Sequence, residues 1–194
     1  SYAKGYVDSI SMVRNFKMKD GTVRTNPPQG DPNVMEPYSD IDTDLPVLFF
    51  KDLEGNMIGA LINFACHHDC VHGSVYSSDY SGALSNELKK VYGSDFSIIF
   101  INGFCGNINN ARLANPQNSD YRVMGRILAD EVIKIEKQAV CLSDDTILSL
   151  KEMIKVPRRK IDPEIIEEAL ELKKGPPITT GSASISDPEG GKRI

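Results

Sequence analysis

The 194 residues are enough for one domain with a sizeable core, and 40% hydrophobic with 25% charged residues is the make-up of an ordinary globular chain. A net charge of -5 without a clustered Lys/Arg face argues against nucleic acid, or an anionic membrane surface, as the main partner. No stretch approaches the roughly 20 apolar residues of a membrane-crossing helix, so no integral membrane segment is expected.

The first 45 residues are polar and rich in Pro and Gly, and predict loops around short strands. Lys19 to Gly21 has turn chemistry, and Pro27, Pro28 and Gly30 to Pro32 break any helix. Asp40, Asp42 and Asp44 imitate the opening of a calcium loop. Leu45 stands where the sharp turn needs Gly, however, and Lys51 where a bidentate Glu is required, so this run is expected to be a solvated loop. A strand begins at Pro46 and ends near Asp52, and Gly55-Asn56 turns the chain into a second one. That second run, MIGALINFAC from Met57 to Cys66, is apolar at nearly every position and predicts a strand buried on both faces of a sheet.

Asp79 or Ser81 then caps a helix that presents Leu84, Leu88 and Val91 on one face and ends at Gly93. The strand FSIIFI, Phe96 to Ile101, stops at Asn102-Gly103. A strand, helix, strand unit thus delivers the loop GFCGNINN to the same sheet edge as the preceding strand's end. A longer helix from about Asp120 to Gln138 spaces Met124, Leu128, Val132, Ile135 and Ala139 for one buried face, and Thr146 to Val156 alternates partly as a strand. The last helix is well punctuated, with Asp162 as cap, Pro163 in its first turn, and Lys173, Lys174 and Gly175-Pro176 at its end. The expected fold class is α/β, a mixed β-sheet core flanked by helices over residues 1–175. Residues 176–194, rich in Pro, Gly and Ser, are expected to form an extended linker or arm.

All three histidines lie between Cys66 and His72, in CHHDCVH. Side chains at a strand end face the loops where α/β proteins place their sites, so His67 and His68 are candidates for metal binding; a hydrogen-bonded structural histidine is the competing reading of each. Four tetrahedral zinc ligands rarely come from one such segment, so further ligands must come from elsewhere, and within this chain only Cys, Asp and Glu remain to supply them. Cys105, between Gly103 and Gly106, is a candidate nucleophile with His67 as its base, set against the commoner inert buried cysteine. Cys66, Cys70, Cys105 and Cys141 form no CxxC pair, so reduced thiols are expected. With no apolar signal core in SYAKGY and no Asn-x-Ser/Thr sequon, the expected location is cytoplasmic, an export signal upstream of Ser1 being left open.

Four collinear strings, MKDGTVRTNP at Met18 to Pro27, NFACHH at Asn63 to His68, SSDYSG at Ser77 to Gly82 and FINGFCGNINN at Phe100 to Asn110, resemble the N-terminal domain of the neutral/alkaline (non-lysosomal) ceramidase family. The resemblance runs from about residue 14 to 156. It implies a zinc-dependent amidohydrolase in which the histidine ending the NFACH strand, here His67, coordinates the metal. It also implies a reactive Ser in the Gly-rich loop, where this chain has Asn109, with Asn107 in place of a frequent Asp and Asn110 in place of a frequent Pro. The family's other zinc ligands, a second His and then Glu and Tyr, would fall upstream of Ser1 and beyond Ile194. The expectation is an interior piece of a zinc hydrolase acting on an amide or ester bond of a small-molecule or lipid-like substrate, inactive and weak in zinc by itself. The alternative is a non-catalytic binding or structural module that keeps the fold without the reactive Ser.

Overall fold

The computed structural model describes residues 1–111, 116–143, 146, 148–158 and 160–174. The expected arm at 176–194 lies outside these. Two compact units are distinguished, Ser1–Asp144 and Asp145–Ile194.

The first unit is a mixed α/β structure. Its main sheet has the order β1-β6-β7-β8, formed by β1 (Tyr2–Tyr6), β6 (Asp44–Lys51), β7 (Met57–Phe64) and β8 (Ser97–Asn102). Between β1 and β6 the chain makes four short strands' worth of turns. Of these, β2 (Ser11–Val13) pairs with the later β9 (Ile108–Asn110), and β3 (Asn15–Met18) lies between β4 (Val23–Thr25) and β5 (Val34–Pro37). The sequence signals in the first 45 residues are too short to show that β1 joins the main sheet. Its five residues find β6 across 40 positions, through alternation of buried Ala3 and Gly5 with exposed neighbours.

β6 and β7 form an antiparallel hairpin, and β7 and β8 run parallel, joined through α1 (Asp79–Tyr92). Helices α1 and α2 (Tyr121–Glu136) cover one face of the sheet. The core between them joins Leu45, Val47, Phe49, Ala60, Ile62 and Phe64 to Leu84, Leu88, Met124, Leu128 and Val132. Gly125 lets the two helices touch: a Cβ there would lie 2.5 Å from Ala83 Cβ and 2.6 Å from Leu84 N.

Three sequence expectations are corrected. β7 ends at Phe64 and is buried on one face only, since Ala60, Ile62 and Phe64 are buried while Leu61 and Asn63 are half-buried. The second face is left open among the described residues, and Ile99 and Ile101 of β8 are correspondingly exposed at 62% and 42%. In α1 the cap is Ser78, and Val91 lies 55% exposed because the last turn runs past the edge of the core. In the second unit, the described residues of Thr146 to Val156 form no strand. Leu148, Leu150 and Met153 are exposed, and partial alternation without a neighbouring strand to pair with does not make a ladder. That unit's helix, α3 (Pro163–Lys173), begins at the expected cap, where Asp162 Oδ1 accepts from Glu164 N at 3.1 Å.

Candidate functional site

The parallel pairing of β7 with β8 decides where the two signature loops go. Register partners Phe64 and Asn102 end their strands together, and the next amide, Gly103 N, still donates to Phe64 O at 3.0 Å. Gly103 is packed against Ala65, where a Cβ would come within 3.0 Å of Ala65 Cβ, so the absence of a side chain allows the loop to lie flat on the end of β7. Three residues past β7 and three past β8, His67 and Cys105 therefore meet. His67 Nδ1 lies 3.4 Å from Cys105 Sγ, and Asn102 Nδ2 donates to that sulfur at 3.4 Å. Both His67 and Cys105 are half-buried.

His68 goes elsewhere. Its ring stacks on Tyr80 at 4.2 Å between centroids and meets Phe100 edge-on at 5.3 Å. Partial burial against these rings holds its pKa below the usual imidazole value; the Asp79 carboxylate opposes that shift, and the neighbouring His67 adds to it. His72 is exposed, with Asp69 Oδ1 3.6 Å from its Nδ1. The segment thus sends His67 to the Gly-rich loop and His68 to a structural stack.

The far end of the Gly-rich loop is tied down by β2 through the β9 ladder, in which Met12 is the partner of Asn109. Arg14 contributes twice, its N donating to Asn107 O at 2.9 Å and its guanidinium to Gly106 O at 2.6 Å. Asn107 Nδ2 donates to Ser39 Oγ at 2.9 Å, and Asn110 Nδ2 to Asp69 O at 3.1 Å. Asn109 is only 4% exposed. Its Nδ2 donates to Asn26 Oδ1 at 3.2 Å, while its Oδ1 is buried without a partner among the described residues. Asn26 holds a left-handed φ of 50°, a conformation Asn tolerates better than most residues. Met12, Val13, Phe16, Pro27 and Tyr38, with Asp31, Glu36 and Asp40, line an open groove of about 980 Å³, which neither His67 nor any residue of Gly103 to Asn110 lines.

A buried anion braces the histidine segment. Asp79, 6% exposed with φ 52°, accepts from Cys70 N and Val71 N at 3.0 Å each through Oδ2, and from Tyr80 N at 2.8 Å through Oδ1. Tyr80, fully buried, donates its hydroxyl to Cys66 O at 2.7 Å. These two residues of SSDYSG, together with Asn26 and Arg14, carry the site's scaffold. Pattern reading gave Asp79 only a helix-capping role and assigned none to Tyr80, Asn26 or Arg14, because a buried carboxylate and a loop Asn have no periodic signature.

All four cysteines are free. Burial pushes the Cys66 thiol up, and burial with the Asp79 carboxylate pushes Cys70 up to about 12, so both are held protonated. No group of three or more His, Cys, Asp and Glu side chains is gathered for a metal among the described residues. His67 with Cys105, and His72 with Asp69, are pairs whose donor atoms suit zinc, each short of the three protein ligands a catalytic site has.

Comparison with family models and with curated proteins found no match. Solved structures do match. Neutral ceramidase from Pseudomonas aeruginosa aligns with a TM-score of 0.51 at 19% identity, over 71% of this chain and 22% of that one. A ceramidase described as complexed with C2 aligns with a TM-score of 0.51 at 20% identity over the same shares. The chain has the fold of part of a neutral ceramidase. It spans about a fifth of the length of those ceramidases. Among the described residues no helix is long and apolar enough to cross a membrane.

Proposed function

We propose that this chain is the part of a zinc-dependent hydrolase that brings one metal-binding histidine, His67, to the Gly-rich loop bearing Asn109, and that the whole protein cleaves an amide or ester bond. The observation that carries the reading is the meeting of His67 with the loop at Cys105, 3.4 Å apart, at the ends of two parallel strands. The ceramidase-like fold supports it.

Zinc bound in such a site supplies Lewis-acid polarisation of a carbonyl and of water. The residues of this chain bind and orient. His67 would provide an imidazole nitrogen, and the Asp79 and Tyr80 bonds to the 66–71 segment hold that histidine's backbone in place. Asn109 has one amide N–H committed to Asn26, which leaves the second as a donor toward a developing oxyanion.

The burial of Asn109, 4% exposed and bonded to Asn26, favours a second reading: a module that keeps the fold and binds without catalysis. One experiment separates them. Zinc content and turnover of simple amides and esters are measured together on the full-length natural protein and on its His67→Ala variant. Hydrolysis that rises with zinc occupancy and is lost in the variant supports the hydrolase; zinc-loaded protein without turnover on any amide or ester supports the binding module.

A further inference from the structure

We infer that the uncovered face of the main sheet is an internal interface of the full-length natural protein, and that the segment leading into Ser1 packs on it as an amphipathic helix. Register places Tyr2, Leu48, Leu61 and Ile99 in one row across β1, β6, β7 and β8. Alternation sends their neighbours Ala3, Val47, Phe49 and Ile62 to the opposite face, into the core with α1 and α2. Phe50, Ile99 and Ile101 stay exposed, and Tyr2 with them. Lys4, a charged side chain on this face of β1, has its ammonium 2.6 Å from the Asp44 carboxylate, so its charge is answered when the face is covered.

Two observations choose the occupant. Four strands about 4.8 Å apart and about five residues long present roughly 300 Å², well short of the roughly 800 Å² that each partner gives to a stable interface between separate chains. A segment of the same polypeptide needs less, because it loses no translational and rotational freedom of its own on docking. The second observation is the point of entry. Ser1 N donates to Phe49 O at 2.9 Å and Phe49 N to Ser1 O at 2.8 Å, so the chain leading into Ser1 reaches the sheet beside Tyr2 and Phe50. A helix suits the surface because β7 and β8 are parallel, and sheets of parallel strands are covered by helices on both faces. The ceramidase whose fold this chain shares in part is long enough for such a layer, since the chain spans 22% of it.

The test places single reporters in the full-length natural protein and reads maleimide labelling peptide by peptide. Ile99→Cys is expected to label about a hundredfold or more slowly than the control Leu53→Cys, which lies at an exposed hairpin turn. A benzophenone attached at position 99 should cross-link to a peptide N-terminal to Ser1. Labelling at position 99 within about tenfold of the control overturns the inference. So does protection that disappears on dilution as a dimer dissociates, which assigns the face to a second copy, and so does cross-linking only to residues C-terminal to Val140. Should Ile99→Cys fail to fold, the wild-type protein still decides: hydroxyl-radical oxidation of Tyr2 and Phe50 must be about tenfold or more slower than that of the exposed Tyr76, and equal rates overturn the proposal. Zinc and turnover do not enter, so an open face leaves the hydrolase reading standing.

Discussion

Asp79 shows how much a single side chain holds in this protein. Its carboxylate answers three backbone N–H groups of the 70–80 segment, and its left-handed φ turns the chain from the histidine segment into α1. Asp79→Ala would leave those donors without a partner, at about 1 to 3 kcal/mol for each one that stays dry. We expect a loss of about 3 kcal/mol in urea unfolding, with His67 losing its fixed position; a loss under about 0.5 kcal/mol would show that water replaces the carboxylate. Asn109 leads to a functional expectation. Serine at that position would sit buried beside Asn26, the side-chain partner that Asn109 has among the described residues and one that cannot act as a base, and general-base assistance is worth about 10² to 10⁴ in rate. Asn109→Ser in the full-length protein should therefore not create efficient amide hydrolysis at equal zinc occupancy. A gain of several orders of magnitude would mean that the site already has its base.

The elements explain why the two signature strings converge. A buried Ile62 and Phe64 on β7 and the parallel register to Phe100 and Asn102 on β8 place both loops at one edge, and α1 with α2 clamps the sheet from a single side. The clamp depends on close helix contact at Gly125. Gly125→Ala puts a methyl group 2.5 Å from Ala83 and should cost about 1 to 3 kcal/mol, read as a lower urea midpoint with an unchanged slope. Ile62→Ala, which empties the sheet side of the same layer, should cost about 2 to 5 kcal/mol. If Gly125→Ala is neutral while Ile62→Ala is not, the helices can separate without loosening the sheet.

At the scale of the whole molecule, the second face of the main sheet presents apolar side chains that no described residue of the first unit buries. Phe50, Ile99 and Ile101 are exposed at 47%, 62% and 42%, side by side with half-buried Leu48 and Leu61. A contiguous apolar patch of this kind binds hydrophobic dyes and promotes association. The doubly substituted Ile99→Lys, Ile101→Lys chain should bind markedly less anilinonaphthalene sulfonate than the parent at unchanged circular dichroism. Equal dye binding would place the exposed apolar surface elsewhere. The same substitutions should change unfolding free energy by no more than about 0.5 kcal/mol each, since neither side chain is in the core.

Local pattern was sufficient for the helices and for the two central strands. The spacing of Leu84 and Leu88 and of Met124, Leu128, Val132 and Ile135 is a property of neighbours three and four apart, and each group is buried as that spacing requires. The likeness to neutral ceramidases was legible for a related reason: the strings NFACHH and FINGFCGNINN mark strand ends, and strand ends are where chemistry is displayed. What the chain does not write in any window is pairing at a distance. That β1 joins β6, that β2 anchors Asn109 from nearly a hundred residues away, and that Asn26 and Asp79 become buried partners all follow from register and packing between remote segments. The same holds for the burial of β7, where apolar composition suggested two covered faces and the tertiary arrangement supplied helices to one. Apolar composition makes burial favourable, but burial itself needs a neighbouring surface, and only the folded chain determines which surfaces meet.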